Sequence, residues 1–397
     1  MADLLIIGNG PAAISAAEAI REVDRERGIT IVSSEPWPAY TPCFLSRYLS
    51  GEVPREALFM KGEGFYEELG IEFMPGKVVV SLDTSERRVR LSDGGAITYK
   101  GLLIAAGASA IVPSIEGVNG EGVYVFKTLS DVEALKQKTH GTETAVVVGA
   151  GYIGLEVAEA LNLLGIRVVV VEKEPQPLAR MLAPDMAEVI KEHLMKKGVA
   201  LYTDESVQEV LRDRDGMPRE IRLGGGKTIR ADMMVVAAGV RPNIDFLKGS
   251  GIQTGKGVLV DATMRTSIEG VYAAGDIAEI EIGKERKINP IHLNAVKTGR
   301  VAGSNIVGAG RHLPAHLMDM NMLRLFDLFV FSAGTRGPEM AMKRDNGSIC
   351  RIYYRDGAVT GIQMIGDVRR AGQYLWQIGK EYPFSSLKRL YEHIQRQ

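Results

Sequence analysis

Cysteine is the scarcest chemistry-bearing residue in this chain. The 397 residues contain two, Cys43 and Cys350. Two isolated cysteines exclude a CxxC redox pair, a four-cysteine zinc site and an all-cysteine iron–sulfur cluster within the chain, and no metal site is expected. An excess of one charge is also lacking. Lys and Arg number 48 against 49 Asp and Glu, for a net charge of −1, and no basic run points to nucleic acid. No apolar stretch reaches the ~20 residues needed to span a bilayer. The N-terminus shows no basic n-region and no cleavage site, so no secretory signal is visible and a reducing, cytoplasmic setting is expected. What remains is ordinary globular composition, 45% hydrophobic and 24% charged, in a chain long enough for two or three domains.

Glycine, by contrast, recurs in a pattern. Residues 145–148 form a short, apolar, β-branched run, read as a strand buried on both faces. Gly149, Gly151 and Gly154 follow at G-x-G-x-x-G spacing. Leu155, Ala158, Leu161 and Leu164 then repeat at helical spacing up to Gly165, and 168–171 reads as a second buried strand closed by Glu172. This is a βαβ unit carrying a dinucleotide fingerprint in its proper context. Gly149 allows the tight turn, Gly151 lets a pyrophosphate approach the backbone, and Gly154 lets helix and strand pack closely. The helix N-terminus favours the phosphates. Glu172, 18 residues past Gly154, can accept hydrogen bonds from ribose hydroxyls and would repel a 2′-phosphate. NADH is therefore expected over NADPH, a preference that Lys173 next door weakens.

The unit occurs twice. Residues 3–7 form an apolar strand that runs into Gly8, Asn9, Gly10, Pro11, Ala12 and Ala13, a G-x-G-x-x-A variant. A helix over 12–23 follows, then a strand at 29–32, and Glu35 lies 22 residues past Ala13. Two such units imply two bound dinucleotides, or one dinucleotide and a vestigial site. An N-terminal copy for FAD and an internal copy for NAD(P)H is the arrangement of two-dinucleotide flavoenzymes.

Each copy continues in the same way. A β meander over 77–91 leads to YKGLLIAAG, in which Ala106 and Gly107 allow close backbone approach to a ligand. Strands over 201–223 lead to MMVVAAG, which ends at Gly239. A short strand at 271–274 then ends at Gly275-Asp276, where an aspartate can meet a ribityl hydroxyl or sit near a phosphate. A helix over 289–307 is entered through Pro290 and His292. His292 reads as a proton donor near a flavin or as an ordinary packing histidine. Helices are also expected over 130–138 and 186–197. In the tail, strands are expected at 325–332, 349–354 and 359–365, and helices at 369–378 and 385–394. Met318, Met320 and Met322 stand at the start of this antiparallel pattern, and Met322, Trp376 and Tyr382 read as core or interface residues. Cys43 sits in a proline-rich stretch just ahead of a helix expected from about Phe44. Such a position lowers a thiol's pKa, and an inert thiol and a reactive thiolate both stay open there.

The set GNGPAAISAAEAI, YKGLLIAAGA, VVVGAGYIGLEVAEAL, MMVVAAGVRPN and EGVYAAGDIAEI, in this order, resembles the FAD-dependent pyridine nucleotide-disulfide oxidoreductase superfamily. The likeness is to its single-cysteine and cysteine-free branches: NADH oxidases and peroxidases, CoA-disulfide reductases, rubredoxin and ferredoxin reductases, and nitrite reductase flavin domains. It implies an α/β fold of two Rossmann-like, three-layer ββα domains, with the NAD domain inserted in the FAD domain, plus a small α+β interface domain. The boundaries expected are FAD 1–113, NAD 114–245, FAD 246–312 and interface 313–397.

The resemblance further implies FAD on Gly8, Gly10, Ala13, Glu35 and Asp276, and NADH on Gly149, Gly151, Gly154 and Glu172. Tyr152 and Ile153 would flank the stacked nicotinamide, with Glu156 beside them. Arg47 falls where relatives carry a lysine paired to that glutamate, so an Arg47–Glu156 pair is expected. Cys43-Phe44-Leu45-Ser46 is similar to the C-G-L-P segment bearing the redox cysteine of CoA-disulfide reductases and NADH oxidases, with glycine and proline replaced. The implied activity passes electrons from NADH through flavin to one of two destinations. One is a disulfide, oxygen or peroxide reached via Cys43. The other is an iron–sulfur protein, with the chain acting as a free reductase, a homodimer or the electron-input subunit of a larger complex. A flavoprotein that signals its NADH-reduced state without turnover is the reading from another class.

Overall fold

The computed structural model describes residues 1–282, 285–313, 319–345 and 347–380. The chain divides into two compact units. The first takes Met1–Tyr48, Val53–Ser109 and the stretch from Val240 to 313. The second takes Leu49–Glu52, Ala110–Gly239 and the stretch from 319.

In the first unit the strand Ala2–Ile7 is central. It pairs in parallel with Ile29–Val32 on one side and Ala96–Ile104 on the other. Ile71–Met74 and Val271–Ala273 extend the sheet in parallel at its two edges. Leu5, Ile6, Ile31, Leu102 and Leu103 are fully buried, as near-continuous apolar runs require when both faces are covered. The strand Ala96–Ile104 serves two layers. Its first half closes an antiparallel meander with Val79–Asp83 and Arg88–Leu91, and its second half belongs to the parallel sheet. Two helices, Pro11–Val23 and His292–Ile306, pack against each other. Their approach is close enough that a Cβ on Gly299 would lie 2.1 Å from the Ala12 carbonyl oxygen, and one on Gly303 would lie 2.3 Å from that of Ala16.

The second unit repeats the plan. Thr144–Val148 pairs in parallel with Arg167–Val171 and Met233–Val236, flanked by Ala200–Tyr202 and Val123–Val125. The meander is Val207–Arg212, Pro218–Leu223 and Thr228–Arg230. The copies differ in one strand. The fifth parallel strand of the first unit, Val271–Ala273, follows its fingerprint in sequence, whereas that of the second, Val123–Val125, precedes it.

The tail adds an antiparallel sheet of five strands in the order Met320–Leu325, Leu328–Gly334, Ala358–Ile365, Ser348–Arg355, Glu339–Asp345. Here the sequence reading needs correction. The single strand expected over 325–332 is interrupted by a turn at Phe326 and Asp327, and Phe326 takes φ +55°. Glu339–Asp345 was not anticipated. The helix expected over 369–378 is only Ala371–Leu375. Met322 and Trp376 are exposed, at 56% and 76%, and so do not belong to the core. Met318, Tyr382 and the helix expected at 385–394 lie outside the described residues. Among the described residues, no helix is long and apolar enough to cross a membrane.

Candidate functional site

The two fingerprints fold with matched stereochemistry. Gly8 and Gly149 take φ +110° and +108°. Their N–H groups donate to Val32 O and Val171 O, each at 2.8 Å. The Ala105 N–H donates to Ile7 O and the Ala237 N–H to Val148 O, again at 2.8 Å. A Cβ on Gly8 would lie 2.2 Å from Ala105 O, and one on Gly149 would lie 2.5 Å from Ala237 O. The Ala-Ala-Gly strand ends are thus the surfaces against which each first glycine is fitted.

Gly10 and Gly151 cap the helices Pro11–Val23 and Tyr152–Leu163, with no side chain capping either. A Cβ at either position would meet nothing within 4 Å. The first intrahelical bonds run from Ile14 N–H to Gly10 O and from Leu155 N–H to Gly151 O, so the N–H groups before them are the helix's unsatisfied donors. Open space beside uncapped N–H donors at a positive helix end is an anion cradle, and it fits the pyrophosphates of FAD and NADH; in the first helix Pro11 leaves the Ala12 and Ala13 N–H groups as those donors. Third positions differ in size: Ala13 is fully buried, whereas a Cβ on Gly154 would lie 2.0 Å from Gly149 O. Pro11 occupies the first helical turn. Ala12 is a packing residue, covered by Gly299 and by Gly275.

The acidic residues are pre-oriented. The Tyr40 hydroxyl lies 2.9 and 3.1 Å from the two carboxylate oxygens of Glu35 and donates to the carboxylate. Glu172 accepts the Ala150 N–H at 2.5 Å on Oε2 and the Glu174 N–H at 2.9 Å on Oε1. Its carboxylate is thereby tied to the turn between Gly149 and Gly151.

Beside Ala12 in the first unit, Gly275 takes φ +77° and donates its N–H to the Thr298 hydroxyl at 3.0 Å. Asp276 follows in a 3-10 turn. Asn243 fixes the other strand end, its Nδ2 donating to Ala106 O at 2.8 Å and its N–H to Gly107 O at 3.0 Å. His292 opens its helix. Burial holds its imidazole below the ordinary pKa, the Asp276 carboxylate pulls the other way, and Nδ1 is buried without a hydrogen-bond partner. The unfolded chain takes up this proton near 6.5 and the folded chain only at lower pH. The stability this group contributes is therefore complete above 6.5 and is lost as pH falls toward the lowered value. His193, also lowered by burial, adds to the same slope. His292→Asn is expected to flatten the unfolding free energy measured in urea between about pH 7 and 5. An unchanged slope would mean that His292 titrates normally in the folded chain.

In the second unit, Tyr152 and Ile153 open the helix after Gly151. Ile153 is 44% exposed. The Tyr152 hydroxyl is buried with no hydrogen-bond partner, and burial, aided by the Glu156 charge, holds its pKa well above the usual phenol value. Tyr152 and Glu156 share a helix face at i, i+4 spacing. Gly239, at φ +111°, accepts the Ile111 N–H. Arg47 belongs to the first unit and Glu156 to the second. Cys43 is exposed in the 3-10 turn Pro42–Phe44, which runs into the six-residue helix Leu45–Ser50. The Arg47 guanidinium lies 5.6 Å from the Phe44 ring centre.

Three groups escaped the sequence reading. Asn9, inside the first fingerprint, is held by the Tyr66 hydroxyl at 2.9 Å, and Tyr66 stacks on Phe73. Asn243 ends the MMVVAAGVRPN run, but nothing local marks its side chain as the holder of Ala106 O. Gly299 and Gly303 did carry a signal: their i, i+4 spacing matches that of Ala12 and Ala16 and marks two helices able to touch backbone to backbone.

A family model described as pyridine nucleotide-disulphide oxidoreductase matches residues 2–299. The chain is 30% identical to an NADH oxidase of Methanocaldococcus jannaschii, over 92% of this chain and 88% of that protein. It is 31% identical to the epsilon subunit of the NADH-dependent phenylglyoxylate dehydrogenase of Aromatoleum evansii, over 90% and 87%. Among solved structures, an NAD-dependent persulfide reductase from A. fulgidus matches with a TM-score of 0.88 and 30% identity, over 95% of this chain and 76% of that one. Two stereochemically matched nucleotide cradles in one chain fit these relatives, and the chain belongs to the pyridine nucleotide-disulphide oxidoreductase family as an NAD(P)H-dependent flavoenzyme that binds FAD.

Proposed function

We propose that this enzyme carries electrons between NADH and an iron–sulfur protein or cluster-bearing subunit, through FAD held in the first unit. The observation that carries the redox reading is the pair of cradles, Gly8 against Ala105 and Gly149 against Ala237. Bound FAD supplies the hydride-accepting chemistry. The chain's own residues bind and orient. Gly10 and Gly151 present helix donors to the two pyrophosphates, Glu35 and Glu172 take the riboses, and Tyr152 and Ile153 lie at the nicotinamide end. Roles for Arg47, Glu156, Asp276 and His292 toward the flavin and nicotinamide belong to the same proposal.

Cys43 and one relative favour this acceptor. The thiol is exposed, and the helix after it is too short to build much of a dipole. One relative is named as a subunit of an NADH-dependent dehydrogenase, matched over 87% of its length, and a subunit of that kind suits a chain that hands electrons to another polypeptide. Homodimer or complex subunit, the partner supplies the metal centres. A second reading, thiol chemistry at Cys43 on a disulfide or persulfide, draws on the solved persulfide reductase.

Cys43→Ser separates the two. With NADH and a ferredoxin as acceptor, the variant is expected to keep turnover within about twofold of the parent. Partial reduction should give no long-wavelength charge-transfer band in either protein. Loss on the order of 100-fold, together with a band present in the parent and absent in the variant, would move the enzyme to the thiol branch.

A further inference from the structure

The C-terminal sheet makes directed polar contacts to both walls of the second cradle. One wall is the segment after Glu172. Its Glu174 N–H bonds the Glu172 carboxylate, and its Leu178 N–H donates to Ala150 O at 3.0 Å, inside the glycine turn itself. Leu178 is buried and takes φ +52°, a conformation that a leucine keeps only when its surroundings hold it. Gln176 Nε2 closes the segment on Leu182 O at 3.0 Å.

What holds this segment from outside is Gln363, in the strand Ala358–Ile365. Its side chain is buried, at 2% exposure. Nε2 donates to Met181 O, and Oε1 accepts the Ala183 N–H at 3.2 Å and the Tyr353 hydroxyl at 2.9 Å. Arg351, directly across the sheet from Gln363, donates to Asp185 at 2.5 Å. The other wall is the helix Tyr152–Leu163. Its buried Glu159 accepts the Phe326 N–H at 2.8 Å, from the turn between the first two strands of the sheet.

We propose that Gln363 is a positioning residue for NADH. The C-terminal sheet, beyond any role as an interface, sets the segment 174–183 and through it the Ala150 turn and the Glu172 carboxylate that the nucleotide must meet. Every hydrogen-bonding atom of the buried amide is used, two of its three bonds go to the segment, and the segment's own next bond goes to the glycine turn. A buried amide so committed fixes its partners, and replacing it leaves the Ala183 N–H unsatisfied and Met181 O with only the long 3.5 Å bond from the Ser332 hydroxyl. Coupling of this kind is reciprocal, so NADH must in turn tighten the sheet's hold on the segment. The inference rests on the second cradle being the NADH site.

The test compares Gln363→Leu and Tyr353→Phe with the parent holoenzyme, using NADH and ferricyanide. Gln363→Leu is expected to raise the KM for NADH about tenfold or more, with kcat and FAD content within about twofold. Tyr353→Phe keeps both bonds from Gln363 to the segment and should shift KM by less than about twofold. An unchanged KM in Gln363→Leu overturns the proposal. So does a rise matched by equal loss of FAD, since that is general loosening. In the parent protein, hydrogen exchange of peptides covering 174–185 and 359–365 should slow when NADH is added. This measurement decides the matter if Gln363→Leu does not fold, and no slowing in 359–365 overturns the proposal. A parent whose flavin NADH does not reduce would instead sink the nucleotide assignment, whatever the variants do.

Discussion

A valine at position 149 should leave the protein yellow and blind to NADH. Gly149 sits at φ +108°, and its missing Cβ would stand 2.5 Å from Ala237 O. A β-branched residue is a steric outlier at such a φ. The neighbour is a backbone carbonyl whose own N–H is committed to Val148 O, so no rotamer change relieves the contact. The turn must open, costing on the order of 1–3 kcal/mol in strain alone. Opening breaks the bond from Gly149 N–H to Val171 O and swings Ala150 away from Glu172. Both nucleotide contacts, the helix donors beyond Gly151 and the ribose carboxylate, are then misplaced together. Gly149→Val is therefore expected to lower the second-order rate of flavin bleaching by NADH by a factor on the order of 100 or more, with FAD content unchanged and dithionite still reducing the flavin fully. Bleaching at the parent rate would mean that this cradle is not where NADH acts.

The βαβ unit that holds Gly149 was legible because its signal is local. Glycine spacing, a buried run before it, helical periodicity after it and an acidic residue at the next strand end all fall within about 30 residues, and both copies folded as read. Elements defined by distant partners were not legible. Val123–Val125 is three half-buried residues whose only claim to be a strand is the edge of Met233–Val236, more than a hundred positions later. The run from Leu325 to Ser332 is apolar enough to pass for one strand. It turns at Phe326 because the Phe326 N–H is drawn to the buried Glu159, and no local pattern announces a bond to a helix 167 residues away. Glu172 shows the same limit in the site. Its type and position were readable as a ribose acceptor, but its bonds to Ala150 and Glu174, which aim it, were not. Gln363 looked like an ordinary polar residue in a strand, and only its burial marks it.

The helix pair of the first unit gives the other large effect. It can be separated into a packing term and a ligand term by two substitutions in the same cradle. Gly299→Leu places a Cβ 2.1 Å from the Ala12 carbonyl oxygen and 2.8 Å from its carbonyl carbon. The obstacle is helix backbone, so His292–Ile306 must move off Pro11–Val23 as a body. Overpacking of this kind costs about 3 kcal/mol or more, which at this domain size lowers Tm by roughly 6–12 °C. Ala12 lies in the first turn past Gly10, and Gly275 packs on the same methyl. The displacement therefore deforms the phosphate end and the Asp276 turn together, and FAD should be lost on gel filtration. Gly10→Val reaches the same colourless state by another route. Gly10 is extended at φ −86° and a Cβ there meets nothing, so the apoprotein should melt within about 2 °C of the parent apoprotein. What the valine does occupy is the space a pyrophosphate needs above the helix donors. The expected pattern is thus two colourless variants, one with a lowered apoprotein Tm and one without. If Gly10→Val kept its flavin with parental affinity, the open space above that helix end would not be where the cofactor's phosphates lie.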